Sequence, residues 1–183
     1  MSCIYIYKTT FGQTMAGFCT KTFQVYDDYM TPKSAWENIK HIIPKDKVIW
    51  EAFYGDGKSG EYLKELGFDV IHEPIDFFEN DLGDIVVSNL PFSKCPEVLE
   101  RLISLAKPFI LIMPCSKLTT QYMRRLFSGN NDLQIIIPRK RIQFVKCVDG
   151  KPAEGNKDCC NFDCFYYCYK IGLPNAITWL GTD

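Results

Sequence analysis

Apolar positions along this chain alternate between two spacings. Ala35, Trp36, Ile39, Ile42 and Ile43 recur at helical spacing. Thr31 is placed to cap that helix, Pro32 fits its first position, and Pro44 ends it. Val48, Ile49 and Trp50 form a short apolar run that predicts a strand over 47–53, closed by Glu51. A helix carrying Tyr62, Leu63 and Leu66 follows, with Gly67 as its C-cap, then a strand over 68–71. Ile85-Val86-Val87-Ser88 reads as a buried strand ended by Pro91. Beyond it the pattern predicts a helix over 96–106, a strand over 109–113, a helix over 118–127 and a strand over 133–137. Segments 141–145 and 162–171 read as a closing antiparallel pair around a loose polar loop at 149–158. Strand and helix alternate, so the class is α/β, with a doubly wound, mostly parallel sheet and an antiparallel C-terminal hairpin. Residues 1–28, with a short strand at 4–7, read as an irregular arm. Residues 29–183 read as one domain without a separate target-recognition domain.

With 183 residues, 46% of them hydrophobic, the chain can bury a real core. A net charge of −1 excludes a global basic field, so contacts with a polyanion must come from local patches. The nine cysteines are odd in number and follow no apolar leader, which points to free thiols in a reducing, intracellular compartment. No apolar run is long enough for a membrane span.

The chemistry concentrates at the ends of two strands. Asn89-Leu90-Pro91-Phe92 falls at a sheet's carboxyl edge, where open α/β sheets bind ligands. It offers a side-chain carbonyl, backbone carbonyls freed from the ladder and a flat ring, a set that suits a planar base with an exocyclic amine. A strand followed by an ordinary turn gives the same string. The run Gly55-Asp56-Gly57-Lys58-Ser59-Gly60 sits in the first turn of a βαβ unit, where small residues let backbone approach a ligand. A phosphate-binding P-loop fails there, because Ala52 stands where a glycine is required. A nicotinamide dinucleotide fits the spacing of Gly55, Gly57 and Gly60 but explains neither Glu51 nor the tetrad. An adenosylmethionine site explains both: Glu51 meets the cationic amino-acid moiety, the glycines cradle the ligand, and Glu73 takes the ribose. Asp76 and Phe77 are placed to hold an adenine by its amino group and its face. Phe78 reads as core.

Together these residues resemble the Rossmann-like S-adenosylmethionine-dependent methyltransferases that modify amino groups, in particular the adenine-N6 enzymes. Asn89-Leu90-Pro91-Phe92 resembles their Asp/Asn/Ser-Pro-Pro-Tyr/Phe signature. Leu90 matches the Asn-Leu/Ile-Pro-Tyr/Phe form of ribosomal RNA adenine dimethyltransferases. Tyr29, Thr31 and Pro32 resemble the segment that lies over the cofactor's methionine end in phage and viral adenine methyltransferases. Glu51 to Gly57, with Phe53, Gly55 and Asp56, resembles their cofactor loop, with Ala52 in place of a proline. The resemblance implies a three-layer Rossmann-like methyltransferase sheet with S-adenosyl-L-methionine as cofactor. It implies catalytic roles for Asn89, Leu90, Pro91 and Phe92, and adenine in nucleic acid as substrate. DNA is favoured by the viral-type motifs, and RNA is kept open by Leu90. The missing recognition domain and near-zero charge leave room for a protein partner, or for a non-catalytic subunit of the same fold.

Arg139-Lys140-Arg141, Lys146, Lys117, Arg124 and Arg125 follow the carboxyl edge in sequence and can meet phosphates flanking a base. A solvated charged face has the same composition. Cys160, Cys164 and Cys168 are spaced for one face of a strand, which argues for buried thiols rather than metal ligands.

Overall fold

The computed structural model describes residues 7–8, 14–15, 29–148, 151–152 and 162–181, with side chains for 29–145 and 162–181. The expectations for residues 4–6, for the loop at 149–158 apart from residues 151–152, which form a strand, for Cys160 and for the side chain of Lys146 lie outside them.

Among the described residues, twelve strands and four α-helices follow in chain order. The short strands β1 (Tyr7–Lys8) and β2 (Thr14–Met15) pair with each other. Then come β3 (Tyr29–Met30), α1 (Lys33–Ile39), β4 (Ile49–Trp50), α2 (Lys58–Glu65), β5 (Val70–Ile71) and β6 (Ile85–Asn89). The second half holds α3 (Cys95–Ser104), β7 (Phe109–Pro114), α4 (Gln121–Phe127) and β8 (Leu133–Ile137). It ends with β9 (Val145–Val148), β10 (Lys151–Pro152), β11 (Cys164–Tyr169) and β12 (Ile177–Trp179).

Seven strands make the main sheet, in the order β12-β8-β11-β7-β6-β4-β5. β5, β4, β6 and β7 are mutually parallel, β12 is parallel to β8, and β11 runs antiparallel between β7 and β8. The chain leaves β4 for β5 on one side and returns to β6 on the other. Right-handed crossovers in opposite directions put α2 and α3 on opposite faces. α1 packs with α2, and α3 with α4, giving three layers. This is a Rossmann-like α/β sheet, with the reversal of strand order between β4 and β6 marking the edge where such sheets bind ligands.

Burial explains the central strands. All six residues of β7 are buried, as is most of β6, so each reads as an unbroken apolar run. In α3, Val98, Leu99 and Leu102 face the sheet at helical spacing.

The closing hairpin differs from the sequence expectation. Segment 141–144 is irregular, and β9 pairs with β3 and β10 instead of β11. β11 is buried almost throughout and takes ladder bonds from β7 and β8 on both edges, which leaves none for 141–145. The cap of α1 also differs: Pro32 holds the N-cap without a side-chain bond, while Thr31 is buried before it. Cys164 and Cys168 are buried on one face of β11, and burial pushes the Cys168 thiol up to about 12. Among the described residues there is no cluster of metal-ligating side chains, and no helix is long and apolar enough to cross a membrane.

The entry into β6 is fixed by a turn at Gly83, whose φ is +61°. A Cβ there would stand 2.8 Å from the Val48 carbonyl oxygen, which accepts from the Asp84 amide. Gly83→Ala is therefore expected to cost about 2 kcal/mol through backbone strain and crowding, measured as a lower urea midpoint at unchanged m-value.

Candidate active site

Parallel registry builds the centre of the site. Trp50 lies beside Ile71 in β5 and Val86 in β6, so Glu51, one residue on, emerges level with His72 and close to Ser88. The Glu51 carboxylate is only 1% exposed. Its Oε1 accepts from Ser88 Oγ at 2.6 Å, and its Oε2 lies 2.7 Å from His72 Nδ1. His72 Nδ1 is also 3.2 Å from the Glu51 carbonyl oxygen, and its Nε2 is 3.0 Å from the Gly57 carbonyl. Both ring nitrogens therefore face acceptors. A neutral imidazole donates from only one nitrogen, so these contacts favour the imidazolium. Burial lowers the His72 pKa, but the Glu51 carboxylate and the two carbonyls more than offset this, and the net shift is upward. The Tyr54 ring stacks on the imidazole at 4.6 Å.

The loop glycines serve this clamp. Gly57 takes φ +85° as N-cap of α2, which turns its carbonyl toward His72. A Cβ at Gly60 would lie 2.1 Å from the His72 ring. The smallness of Gly60 is thus a packing requirement of His72, which removes it from the dinucleotide-like spacing.

The tetrad starts at the end of β6. Asn89 Nδ2 donates to the Tyr29 carbonyl at 3.2 Å, while Asn89 Oδ1 is buried and has no partner. Fixing the amide nitrogen in this way leaves the oxygen as a committed acceptor. Leu90 is 1% exposed, and Pro91 leads directly into the short turn Phe92–Lys94 and then α3.

Seven of the residues singled out in the sequence share one narrow cleft: Tyr29, Thr31, Glu51, Phe53, Gly55, Asp56 and Asn89. Pro32 and Gly57 cap the helices at its borders without lining it. Phe92 faces a different, larger cavity of about 410 Å³, shared with Ser93, Pro114, Lys117, Tyr122 and Phe162. Its ring meets Phe162 edge-on at 5.6 Å and Phe144 at 6.4 Å. Tyr29 meets Phe162 edge-on at 5.3 Å, so an aromatic group joins the strap at β3 to the tetrad.

Three expected cofactor contacts lie elsewhere. Phe77 is 0% exposed and packs against Trp50 and Phe53, with Arg101 over its ring, so its face is not open to an adenine. Phe78, expected in the core, is the exposed member of the pair, at 37%. Asp76 spends Oδ1 on the Phe78 amide at 2.7 Å, as a turn carboxylate does. Glu73 is exposed at the carboxyl end of β5 and does not line the cleft.

His72, Ser88, Tyr54 and Ser59 belong to the site but were not singled out in the sequence. Ser59 lines the cleft and accepts from Trp36 Nε1 at 3.1 Å, tying α2 to α1. Two signals were present: a serine inside a buried apolar strand needs a polar partner, and a histidine follows the strand that pairs with the one ending in Glu51.

No protein-family model matches the chain, and no curated protein sequence matches it. Among solved structures it is similar to the tRNA (m1A58) methyltransferase TrmI from Aquifex aeolicus, at 16% identity over 84% of this chain and 73% of that one, with a TM-score of 0.35. A likeness this loose adds no support to any function, and the fold class rests on the strand order described above.

The clamp makes stability pH-dependent. The folded-state pKa of His72 is raised above its ordinary 6.5, so the stabilisation is fully present below about pH 6.5 and is lost as pH rises through the raised value. His72→Ala strands a buried carboxylate and is expected to cost about 3 kcal/mol at pH 6, with a smaller loss at pH 9, as read by urea denaturation.

Proposed function

We propose that the protein transfers a methyl group from S-adenosylmethionine to the exocyclic amino group of adenine in nucleic acid, with DNA the favoured substrate. One observation carries the reading: the Asn89 amide is tied through its nitrogen, and its buried oxygen has no partner in the cleft that also holds Glu51 and the glycine turn. A buried acceptor without a donor costs about 1–3 kcal/mol, and an incoming N–H relieves it.

The donor set fits the cofactor by its chemistry. The Glu51 carboxylate is already engaged by Ser88 and His72, so it shapes the cleft rather than offering a free charge, and the Gly55–Gly57 turn lets backbone come close to a ligand. The cleft holds a water-accessible volume of about 20 Å³, room for about one water. A ligand must therefore push back the Tyr29–Thr31 strap, whose ladder to β9 is two residues long. When bound, the cofactor supplies an electrophilic methyl group.

The chain's own residues handle the acceptor. Adenine's amino nitrogen is a weak nucleophile because its lone pair is delocalised into the ring. Asn89 Oδ1 takes one amino hydrogen and the Leu90 carbonyl takes the other, which turns the lone pair out of the ring plane. Phe92, at the wall of the larger cavity, contributes roughly 1–3 kcal/mol by stacking on the base. The base leaves its stack at a cost of a few kcal/mol in a duplex and less in a single strand. Positioning then supplies most of the acceleration.

Incubation with methyl-labelled cofactor and DNA or RNA, followed by digestion to nucleosides, tests the reading. Labelled N6-methyladenosine or its deoxy form is expected, and the polymer that carries it separates DNA from RNA. Asn89→Ala should lower transfer at least a hundredfold while cofactor affinity by calorimetry changes less than threefold, the pattern of a lost transition-state contact. Cofactor binding with no methylated nucleoside from any polymer would overturn the reading and favour a non-catalytic subunit.

A further inference from the structure

The basic residues that follow the carboxyl edge do not form one face. Arg125 pairs with Glu100, and Arg141 is held by Asp163, with Arg141 Nε 2.8 Å from Asp163 Oδ1. Arg139 and Lys140 differ: both are exposed, and neither has an anionic partner among the described residues. They line a groove of about 300 Å³ with Ser34, Asn38, Arg141 and Gln143. Among the described acidic groups, Asp163 is paired with Arg141, and Glu37 lies on α1 between Ser34 and Asn38.

Two short stretches of chain connect the groove to the site. Ser34 lies three residues after Thr31, which lines the narrow cleft. Phe162 lines the cavity beside Phe92, and the next residue, Asp163, holds Arg141 in the groove. Lys117 also lines that cavity and has no anionic partner among the described residues. Cations thus line both the groove and the cavity beside Phe92.

We infer that the groove formed by Arg139, Lys140, Ser34, Asn38 and Gln143 binds the phosphodiester backbone of the strand whose base enters the cavity beside Phe92. The inference rests on the nucleic-acid reading above and adds where the polymer is gripped. Two free cations flanked by hydroxyl and amide groups are the side-chain types that meet phosphate oxygens. With a net charge of −1, the chain has no global field to hold a polyanion, so affinity must come from such a groove. The grip carries no base information.

Fluorescence anisotropy of end-labelled single-stranded DNA and RNA of mixed sequence, between about 50 and 200 mM salt, tests this. The full chain is compared with the Arg139→Gln/Lys140→Gln double variant and a charge-keeping Arg139→Lys/Lys140→Arg swap. The double variant should bind on the order of tenfold more weakly at 50 mM salt, with a salt slope shallower by about 1.4. The swap should bind like the parent, and cofactor affinity by calorimetry should be the same in all three. A double variant with the parent's affinity and slope overturns the inference, even where methyl transfer proceeds and the functional reading stands. A parent chain that binds neither polymer at 50 mM salt also overturns it. Methylation of adenosine mononucleoside would then keep the chemistry, and its absence would remove both readings.

Discussion

A buried carboxylate organises this molecule. Glu51 sits at the end of β4 with 1% of its surface exposed, where an unpaired charge would cost several kcal/mol. It is kept by a hydroxyl from β6 and an imidazolium from the end of β5. Three neighbouring strands are thereby tied at their carboxyl ends, at the point where strand order reverses. The imidazolium reaches on to Gly57 and holds the glycine loop as well. Removing any member leaves a polar group stranded, so the edge is rigid where a ligand would need it rigid.

The second constraint runs through the strap. Tyr29 pairs with β9 on one side and gives its carbonyl to Asn89 on the other. That bond decides which end of the Asn89 amide faces the cleft. The aromatic contacts of Tyr29 with Phe144 and Phe162 link the same strap to the cavity beyond Phe92. The narrow cleft and the larger cavity therefore both touch the tetrad, the first at Asn89 and the second at Phe92.

Much of this was legible in the sequence because the information was local. The strand at 133–137 and the βαβ unit followed from apolar runs and punctuation, and the cleft residues followed from strand ends. Failures came where partners are distant or adjacent residues are alike. β9 finds β3 more than a hundred residues away, and no periodicity announces that pairing. Phe77 and Phe78 are chemically the same, and only packing against Trp50 decides which is buried. His72 and Ser88 were readable in principle, since registry in a parallel sheet sets them beside Glu51. Seeing this requires the strand order, and the strand order is a tertiary fact.

A crystal structure with the demethylated cofactor and adenosine tests the central claim most directly. The account predicts the adenine amino nitrogen within hydrogen-bond distance of Asn89 Oδ1, the Asn89 nitrogen still on the Tyr29 carbonyl, and the cofactor's sulfur on the far side of that amine. An amide flipped to present its nitrogen, or a nucleoside bound away from residue 89, would contradict it.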